Sequence, residues 1–106
     1  MRKAEREMEV DIMLINGDIV IPVEVKTTLK IADVDEFLEQ MREFLFFFPK
    51  YENYRVHGAV AGVKIEERAD RYAYRKGLFV LTLGRDGLTQ MLNDERFIPK
   101  NLSILE

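Results

Sequence analysis

The sequence contains no cysteine, which excludes disulfide bonds, thiolate metal sites and a cysteine nucleophile. No apolar run approaches the roughly 18 residues of a membrane-spanning helix, and the charged start lacks the apolar segment of a secretion signal. A Gly-rich phosphate loop and a nucleophilic serine motif are also absent from the sequence. We therefore expect a cytoplasmic protein that does not contact a membrane.

What the sequence does contain is typical of one folded domain. The 106 residues are 47% hydrophobic and 33% charged, which are ordinary values for a globular protein. We interpret residues 1–106 as a single domain with a charged N-terminal arm at 1–8. The net charge of −3 gives no general attraction to nucleic acid. A DNA-binding role would therefore require the basic residues to be concentrated on one face.

The first half of the chain predicts a β-hairpin followed by a helix. Two strand-like runs, 9–15 and 18–27, are joined by Asn16-Gly17, a strong hairpin signal because a type I′ turn needs positive φ at both central residues. A helix is expected to begin at Asp33, which with Glu36 forms a capping-box pattern, and to end at Pro49. The apolar residues that recur at helical spacing in it are Val34, Phe37, Leu38, Met41, Leu45 and Phe48.

The second half predicts two further strands and a second helix. Residues 54–63 are strand-like, and 66–76 predict a helix that ends at Gly77. Residues 78–83 form an apolar run typical of a strand buried on both faces, and a helical turn is expected at 88–92. This order of elements predicts an α/β (α+β) fold with a central mixed β-sheet that begins with the hairpin and is flanked by helices.

The hairpin predicts that two carboxylates converge. With Asn16-Gly17 at the turn, Asp11 lies opposite Pro22 and is a diagonal neighbour of Glu24, about 7–8 Å away at the backbone. Glu24 and Lys26 point to the same side of their strand. We expect the opposite face, which is wholly aliphatic, to be the core face. Its residues are Val10, Ile12, Leu14, Ile19, Ile21, Val23 and Val25.

Asp11, Glu24 and Lys26 have the chemistry of a metal-dependent phosphodiesterase. Mg²⁺ (or Mn²⁺) is held by one or two carboxylates together with waters and phosphate oxygens. Such an ion polarises a phosphate and lowers the pKa of a bound water, which a neighbouring lysine can orient or deprotonate. Charged residues on a strand face are more often a solvated surface, and Glu-x-Lys alone is common. The position of Asp11 on the partner strand favours the functional interpretation.

The segments around these side chains carry a family resemblance. They are Glu9-Val10-Asp11-Ile12, Asn16-Gly17-Asp18, Val23-Glu24-Val25-Lys26-Thr27, Asp33-Val34-Asp35-Glu36-Phe37-Leu38, Gly58-Ala59-Val60-Ala61-Gly62, Tyr72-Ala73-Tyr74-Arg75-Lys76-Gly77-Leu78-Phe79-Val80 and Leu92-Asn93-Asp94. With them the chain resembles the PD-(D/E)XK nuclease superfamily, in particular a group of uncharacterised prokaryotic members. The resemblance covers nearly the whole chain.

The resemblance implies a restriction-endonuclease-like core with a metal site. It assigns the first and second metal-binding carboxylates to Asp11 and Glu24. The backbone carbonyl of Val25 would complete the metal shell, and Lys26 would be the catalytic lysine.

The chain also departs from the family pattern. Such relatives usually have a longer helical region before the first carboxylate, and some contribute a further acidic residue from it. The candidates for that acid here are Glu5, Glu7 and Glu9. RecB-like members carry a glutamine and an aromatic residue four positions later, and Gln40 with Phe44 matches this pattern without the tyrosine hydroxyl.

Two further groups of residues are candidates for binding. On the second helix, Arg68, Arg71 and Arg75 form a basic stripe, which either contacts nucleic-acid phosphates or is a solvated face paired with neighbouring acids. Phe46 and Phe47 lie off the apolar stripe of the first helix. They either pack beneath another element or form a dimer contact.

The leading hypothesis is a Mg²⁺- or Mn²⁺-dependent nuclease that hydrolyses phosphodiester bonds of DNA as a homodimer. Asp11 and Glu24 would bind the metal, Lys26 would activate or orient water, and Gln40 with the basic stripe would contact the nucleic acid. For His57, the only histidine, we expect a structural or surface role. The alternative is a non-catalytic interaction module that keeps the nuclease fold and dimerises through the two phenylalanines.

Overall fold

The protein is described by a computed structural model that covers residues 2–3, 6–84, 86–87 and 89–104. Its strands are β1 (Arg2–Lys3), β2 (Arg6–Glu7), β3 (Ile12–Asn16), β4 (Ile19–Leu29), β5 (Arg55–Val56), β6 (Ala59–Ile65), β7 (Phe79–Leu83) and β8 (Thr89–Met91). Its helices are α1 (Ile31–Met41), α2 (Phe44–Phe47) and α3 (Ala69–Arg75), with 3₁₀ turns at Pro49–Tyr51 and Leu102–Ile104. None of the helices in this described part is long and apolar enough to cross a membrane.

Six strands form one mixed sheet in the order β3-β4-β6-β7-β8, with β5 paired to β4. The hairpin β3–β4 is antiparallel, β4, β6 and β7 are parallel, and β8 is antiparallel to β7. α1 connects β4 to β6 and α3 connects β6 to β7. Right-handed crossovers place both helices on one face, where they contact each other. The predicted α+β fold, with a mixed sheet that includes a hairpin and is flanked by helices, is confirmed.

The predicted turn at Asn16-Gly17 is wrong by one residue. Asn16 remains in β3 and pairs with Ile19, so the two loop residues are Gly17 and Asp18. Gly17 has φ of 60°, and a two-residue hairpin loop needs positive φ at its first central position. Glycine adopts this conformation without the strain that a Cβ atom would cause. The turn therefore forms where glycine, rather than asparagine, takes the first central position.

The later turn changes which residues face each other in the hairpin. Ile12 pairs with Val23, so Asp11, the next residue outward, falls opposite Glu24. The predicted pairing of Asp11 with Pro22 is wrong. Because the pairing moves by two residues, each side chain keeps its predicted side of the sheet. In this register Asp11, which lies just outside β3, is opposite Glu24 rather than diagonal to it.

The main core lies on the opposite face of the sheet from the one predicted. Both helices cover the face that carries Val60 and Val80, which are buried. Glu24 belongs to this face because it pairs with Val60 on the adjacent strand. The aliphatic face has only a small buried cluster around Val23, and Leu14 on that face is 49% exposed. Side-chain alternation separates the two faces, but the handedness of the crossovers decides which face the helices cover.

The long helix predicted to end at Pro49 is divided into two helices. α1 ends at Met41, and a separate helix, α2, begins at Phe44. The break turns Phe44 and Phe47 into the core, whereas Phe46 is 49% exposed. The two aromatic rings at positions 46 and 47 contact each other edge to face, with centroids 5.2 Å apart.

α1 and α3 also begin at positions other than those predicted. The Asp33 carboxylate accepts a hydrogen bond from the Lys30 N–H at 2.9 Å, so Asp33 is the third residue of α1 rather than its cap. α3 begins at Ala69, because the preceding Glu67 and Arg68 have positive φ.

The C-terminal segment returns to the sheet and the core. The helical turn predicted at 88–92 is wrong, since Thr89–Met91 forms the edge strand β8. Gly77 follows α3 with φ of 82°, which confirms the predicted helix end. Leu102 is buried so close to Gly58 that a Cβ atom on this glycine would lie 2.8 Å from the leucine side chain.

Candidate metal site

Asp11 is held against β4 by a hydrogen bond to the backbone. Its Oδ2 accepts the N–H of Val25 at 2.9 Å. β3 begins only at Ile12, so a carboxylate rather than a strand carbonyl accepts this bond. The contact places the Asp11 side chain beside the neighbouring residue of β4, Glu24.

Glu24 and Lys26 lie on the same side of β4 and form an ion pair. The Lys26 Nζ is 3.5 Å from Glu24 Oε1, and the two side chains are 37% and 19% exposed. Burial raises the pKa of Glu24, the Asp11 charge raises it further, and Lys26 opposes both effects. The fold therefore holds a carboxylate whose negative charge is disfavoured by its surroundings. A bound cation would relieve both the burial cost and the repulsion from Asp11.

A cavity of about 220 Å³ opens between the hairpin and the end of α1. It is lined by Met8, Glu9, Asp11, Glu24, Gln40, Glu43 and Phe47. Three residues selected from the sequence, Asp11, Glu24 and Gln40, thus line one cavity. Gln40 lines this cavity because α1 covers the sheet face that carries Glu24.

The cavity contains two acidic residues that sequence analysis did not assign to the metal. Glu9, which precedes Asp11, was a candidate only for the additional acid of the family pattern. Glu43 was not predicted to belong to the site. In the continuous helix that the sequence predicts, it follows Gln40 by three residues and shares its face, although in the structure it lies in the break between α1 and α2. That spacing is a signal that could have identified it.

The donor set fits a hard divalent cation that keeps part of its water shell. Mg²⁺ and Mn²⁺ prefer oxygen ligands, and Mg²⁺ usually binds one or two carboxylates with several waters. Asp11 and Glu24 provide these two carboxylates. Across residues 2–3, 6–84, 86–87 and 89–104, no group of three or more histidine or acidic side chains is arranged to hold one metal ion. Ligation by the Val25 carbonyl stays a prediction.

The basic stripe predicted on the second helix is separate from this cavity. Arg71 and Arg75 line a different cleft of about 490 Å³, together with Arg68 and Asp70. Arg68 donates two hydrogen bonds of 3.2 Å to Asp70, and this contact lowers the pKa of the Asp70 carboxyl. One member of the stripe is therefore paired with a neighbouring acid.

The other selected residues divide between the core and the surface. Phe47 and Phe44 belong to the core, while Phe46 is half exposed. His57 is buried, and its ring centroid is 6.4 Å from that of Phe79. Burial, and secondarily repulsion by a nearby arginine, lowers the pKa of His57.

No protein-family model, no curated protein and no solved structure matches the chain. The resemblance to PD-(D/E)XK nucleases therefore stays a prediction from the residue pattern. The geometry around Asp11 and Glu24 is the basis for a functional assignment.

Proposed function

We propose that the protein is a metal-dependent nuclease with a restriction-endonuclease-like core, acting on DNA. The observation that carries the proposal is that Asp11 and Glu24 line one cavity, with the Lys26 ammonium 3.5 Å from Glu24. The raised pKa of Glu24 supports it, because a site that disfavours its own negative charge gains stability when a cation binds. The Gln40 side chain is in place to contact a substrate in the same cavity.

This mechanism gives separate roles to Asp11, Glu24, Val25 and Lys26. Asp11 and Glu24 would hold Mg²⁺ or Mn²⁺, and the Val25 carbonyl would be a further ligand. The ion, when bound, supplies Lewis-acid activation of the scissile phosphate and of a water. Lys26 would orient that water through its ammonium group, whose positive charge would stabilise the charge that develops on the phosphate. To take up the proton of the water instead, the Lys26 amine would first have to give up its own proton.

The second candidate is a non-catalytic interaction module that keeps the nuclease fold and dimerises. The half-exposed Phe46 favours it, because a large aromatic side chain on the surface is a common feature of protein contacts. Phe47 is buried in the core, so Phe46 would supply the exposed ring of such a contact. A homodimer through this surface is compatible with either function.

The two candidates are distinguished by metal binding measured together with cleavage. Isothermal titration with Mn²⁺ should show binding to the wild type and a loss of roughly tenfold or more in affinity for Asp11→Asn/Glu24→Gln. Glu52→Gln, which changes an exposed acid elsewhere, should bind like the wild type. Equal affinity in all three proteins would contradict the site.

Cleavage is then tested on single-stranded and duplex DNA with Mg²⁺ or Mn²⁺. The nuclease proposal expects cleavage by the wild type, and at least about a hundredfold less by Lys26→Met. Metal binding without cleavage of either DNA would favour the interaction module.

A further inference from the structure

Two adjoining clefts on the helical side of the protein have linings in which nearly all the charged residues are basic. The first, of about 490 Å³, includes Arg71 and Arg75. The second, of about 530 Å³, includes Arg75 again and adds four cations from α1, the end of α3 and the C-terminal segment. We call this surface the basic groove. Its residues are Arg42, Arg71, Arg75, Lys76, Arg96 and Lys100.

The groove concentrates positive charge in a chain that is acidic overall. The sequence has 16 basic and 19 acidic residues. Of the described residues that line the two clefts, seven are basic and one, Asp70, is acidic. Asp70 already accepts hydrogen bonds from Arg68. Although the net charge is −3, the basic residues are concentrated on one face. Such a concentration is what an acidic protein needs in order to bind nucleic acid.

Tertiary contacts hold the C-terminal part of the groove in place. The Lys100 N–H donates to the Gly77 carbonyl at 3.1 Å, which fixes Lys100 beside the end of α3. The Phe97 ring packs 5.0 Å from the Tyr74 ring, and the Tyr74 hydroxyl donates to Asp94 at 2.6 Å. This hydrogen bond occupies the carboxylate of Asp94, which follows the cleft residue Asn93. The segment that carries Arg96 is therefore docked on α3.

The extent of the groove favours a polymeric anion over a single small one. The two clefts share Tyr74 and Arg75, so they are continuous with each other and the cations of both line one surface. Arg71 and Arg75 are about 6 Å apart along α3, slightly more than one helical turn. Arg42 forms an ion pair with Glu39 at 3.5 Å. The five other cations of the groove still exceed what a single phosphate group needs, and arginine is well suited to contact successive phosphates of a backbone.

We propose that the basic groove binds the phosphate backbone of a nucleic acid. Leu38 and Arg42 of the α1 region line the groove, whereas Gln40 and Glu43 line the acidic cavity. The groove and the metal site therefore lie on different sides of α1. Binding in the groove requires no metal ion, so this proposal and the proposed nuclease activity can fail separately.

The test is fluorescence anisotropy of the full chain with labelled single-stranded and duplex DNA, in the presence of EDTA. Arg75→Gln/Lys100→Gln removes two charges from the groove. Lys50→Gln/Lys64→Gln removes two charges from exposed positions outside it. Both variants change the net charge equally, so general electrostatic attraction cannot distinguish them.

We expect the groove variant to bind DNA about tenfold or more weakly than the control variant. The slope of log affinity against log salt should fall by about 1.8, because each lost phosphate contact contributes about 0.9. Equal affinity of the two variants, with circular dichroism showing both folded, would overturn the proposal. Binding of inorganic phosphate or a mononucleotide without binding of either DNA would also overturn it.

A second pair of measurements separates the groove from the metal site. The groove variant should keep wild-type affinity for Mn²⁺. Asp11→Asn/Glu24→Gln should keep DNA binding in EDTA, whatever its effect on cleavage. Loss of EDTA-resistant binding in this metal-site variant would place the DNA at the cavity and contradict the groove.

Discussion

The Glu24 carboxylate is partly buried beside a second carboxylate, so the folded protein disfavours its ionised form. A raised pKa means that the folded protein holds a proton that the unfolded chain has already lost. The stabilising contribution of the protonated group is therefore fully present below the ordinary value of 4.5 and is lost as pH rises through the raised pKa. At neutral pH without metal, Glu24 reduces stability.

Because the pKa of Glu24 is raised, replacing its carboxyl with a neutral amide should stabilise the protein at neutral pH. In EDTA at about pH 7, Glu24→Gln should unfold at a higher temperature than the wild type. The difference should disappear below pH 4.5, where the wild-type carboxyl is also neutral. Thermal unfolding followed by circular dichroism measures it, with the exposed Glu52→Gln as control. A less stable variant at neutral pH would show that the Lys26 ion pair outweighs the burial of Glu24. Saturating Mn²⁺ should stabilise the wild type and Glu52→Gln, but not Glu24→Gln, by about 2.7 kcal/mol at 100 times Kd.

His57 should produce a pH dependence of the opposite sign. Its pKa is lowered from 6.5, first by burial and then by the charge of Arg55, so the folded protein disfavours the imidazolium. The stability contributed by the neutral ring is present above 6.5 and is lost as pH falls through the lowered pKa. Urea midpoints between about pH 7 and 5 should fall more steeply for wild type than for His57→Gln. Measuring both in a Glu24→Gln background removes the opposing titration, and parallel curves there would contradict the assignment.

At the scale of secondary-structure elements, local signals predicted the elements better than their packing. Gly17 identified the hairpin, and alternation placed Asp11 and Glu24 on one side of it. The exact turn depended on which residue takes positive φ, which an Asn-Gly-Asp sequence does not decide. The division of the first helix was missed because the burial of Phe44 and Phe47 depends on distant parts of the core. Sequence periodicity assumes a continuous helix and cannot register such a break.

The choice of the covered sheet face gives a prediction at the same scale. Leu14, on the aliphatic face, is 49% exposed, whereas Val60, on the helical face, is fully buried. Leu14→Ala should therefore cost about 1 kcal/mol or less, and Val60→Ala about 2 kcal/mol or more. Urea denaturation of the two variants measures this difference. A larger cost for Leu14→Ala would mean that the aliphatic face is covered in solution.

At the scale of the whole molecule, charges of opposite sign are separated by α1. The acidic cavity could be approached from the sequence because Asp11 and Glu24 belong to one hairpin, and hairpin geometry is local. The basic groove could not, because Arg42, Arg96 and Lys100 are distant along the chain. The hydrogen bond between Lys100 and Gly77, which holds the C-terminal segment against the end of α3, spans 23 residues. Only the stripe on α3, which has helical spacing, was visible in the sequence.

The oligomeric state is the remaining property of the whole molecule that the surface allows us to predict. If Phe46 forms the homodimer contact, light scattering should give the wild type about twice the 12.5 kDa mass of one chain. Phe46→Ser should restore the mass of one chain at little cost to the fold, since the ring is 49% exposed. Ile98→Ser, which changes a residue 84% exposed elsewhere on the surface, should leave the dimer intact. A dimer that survives Phe46→Ser, or a wild type that is monomeric, would contradict this contact. Because the Phe46 ring packs on Phe47, which lines the acidic cavity, dimerisation there would bring a second chain close to the metal site.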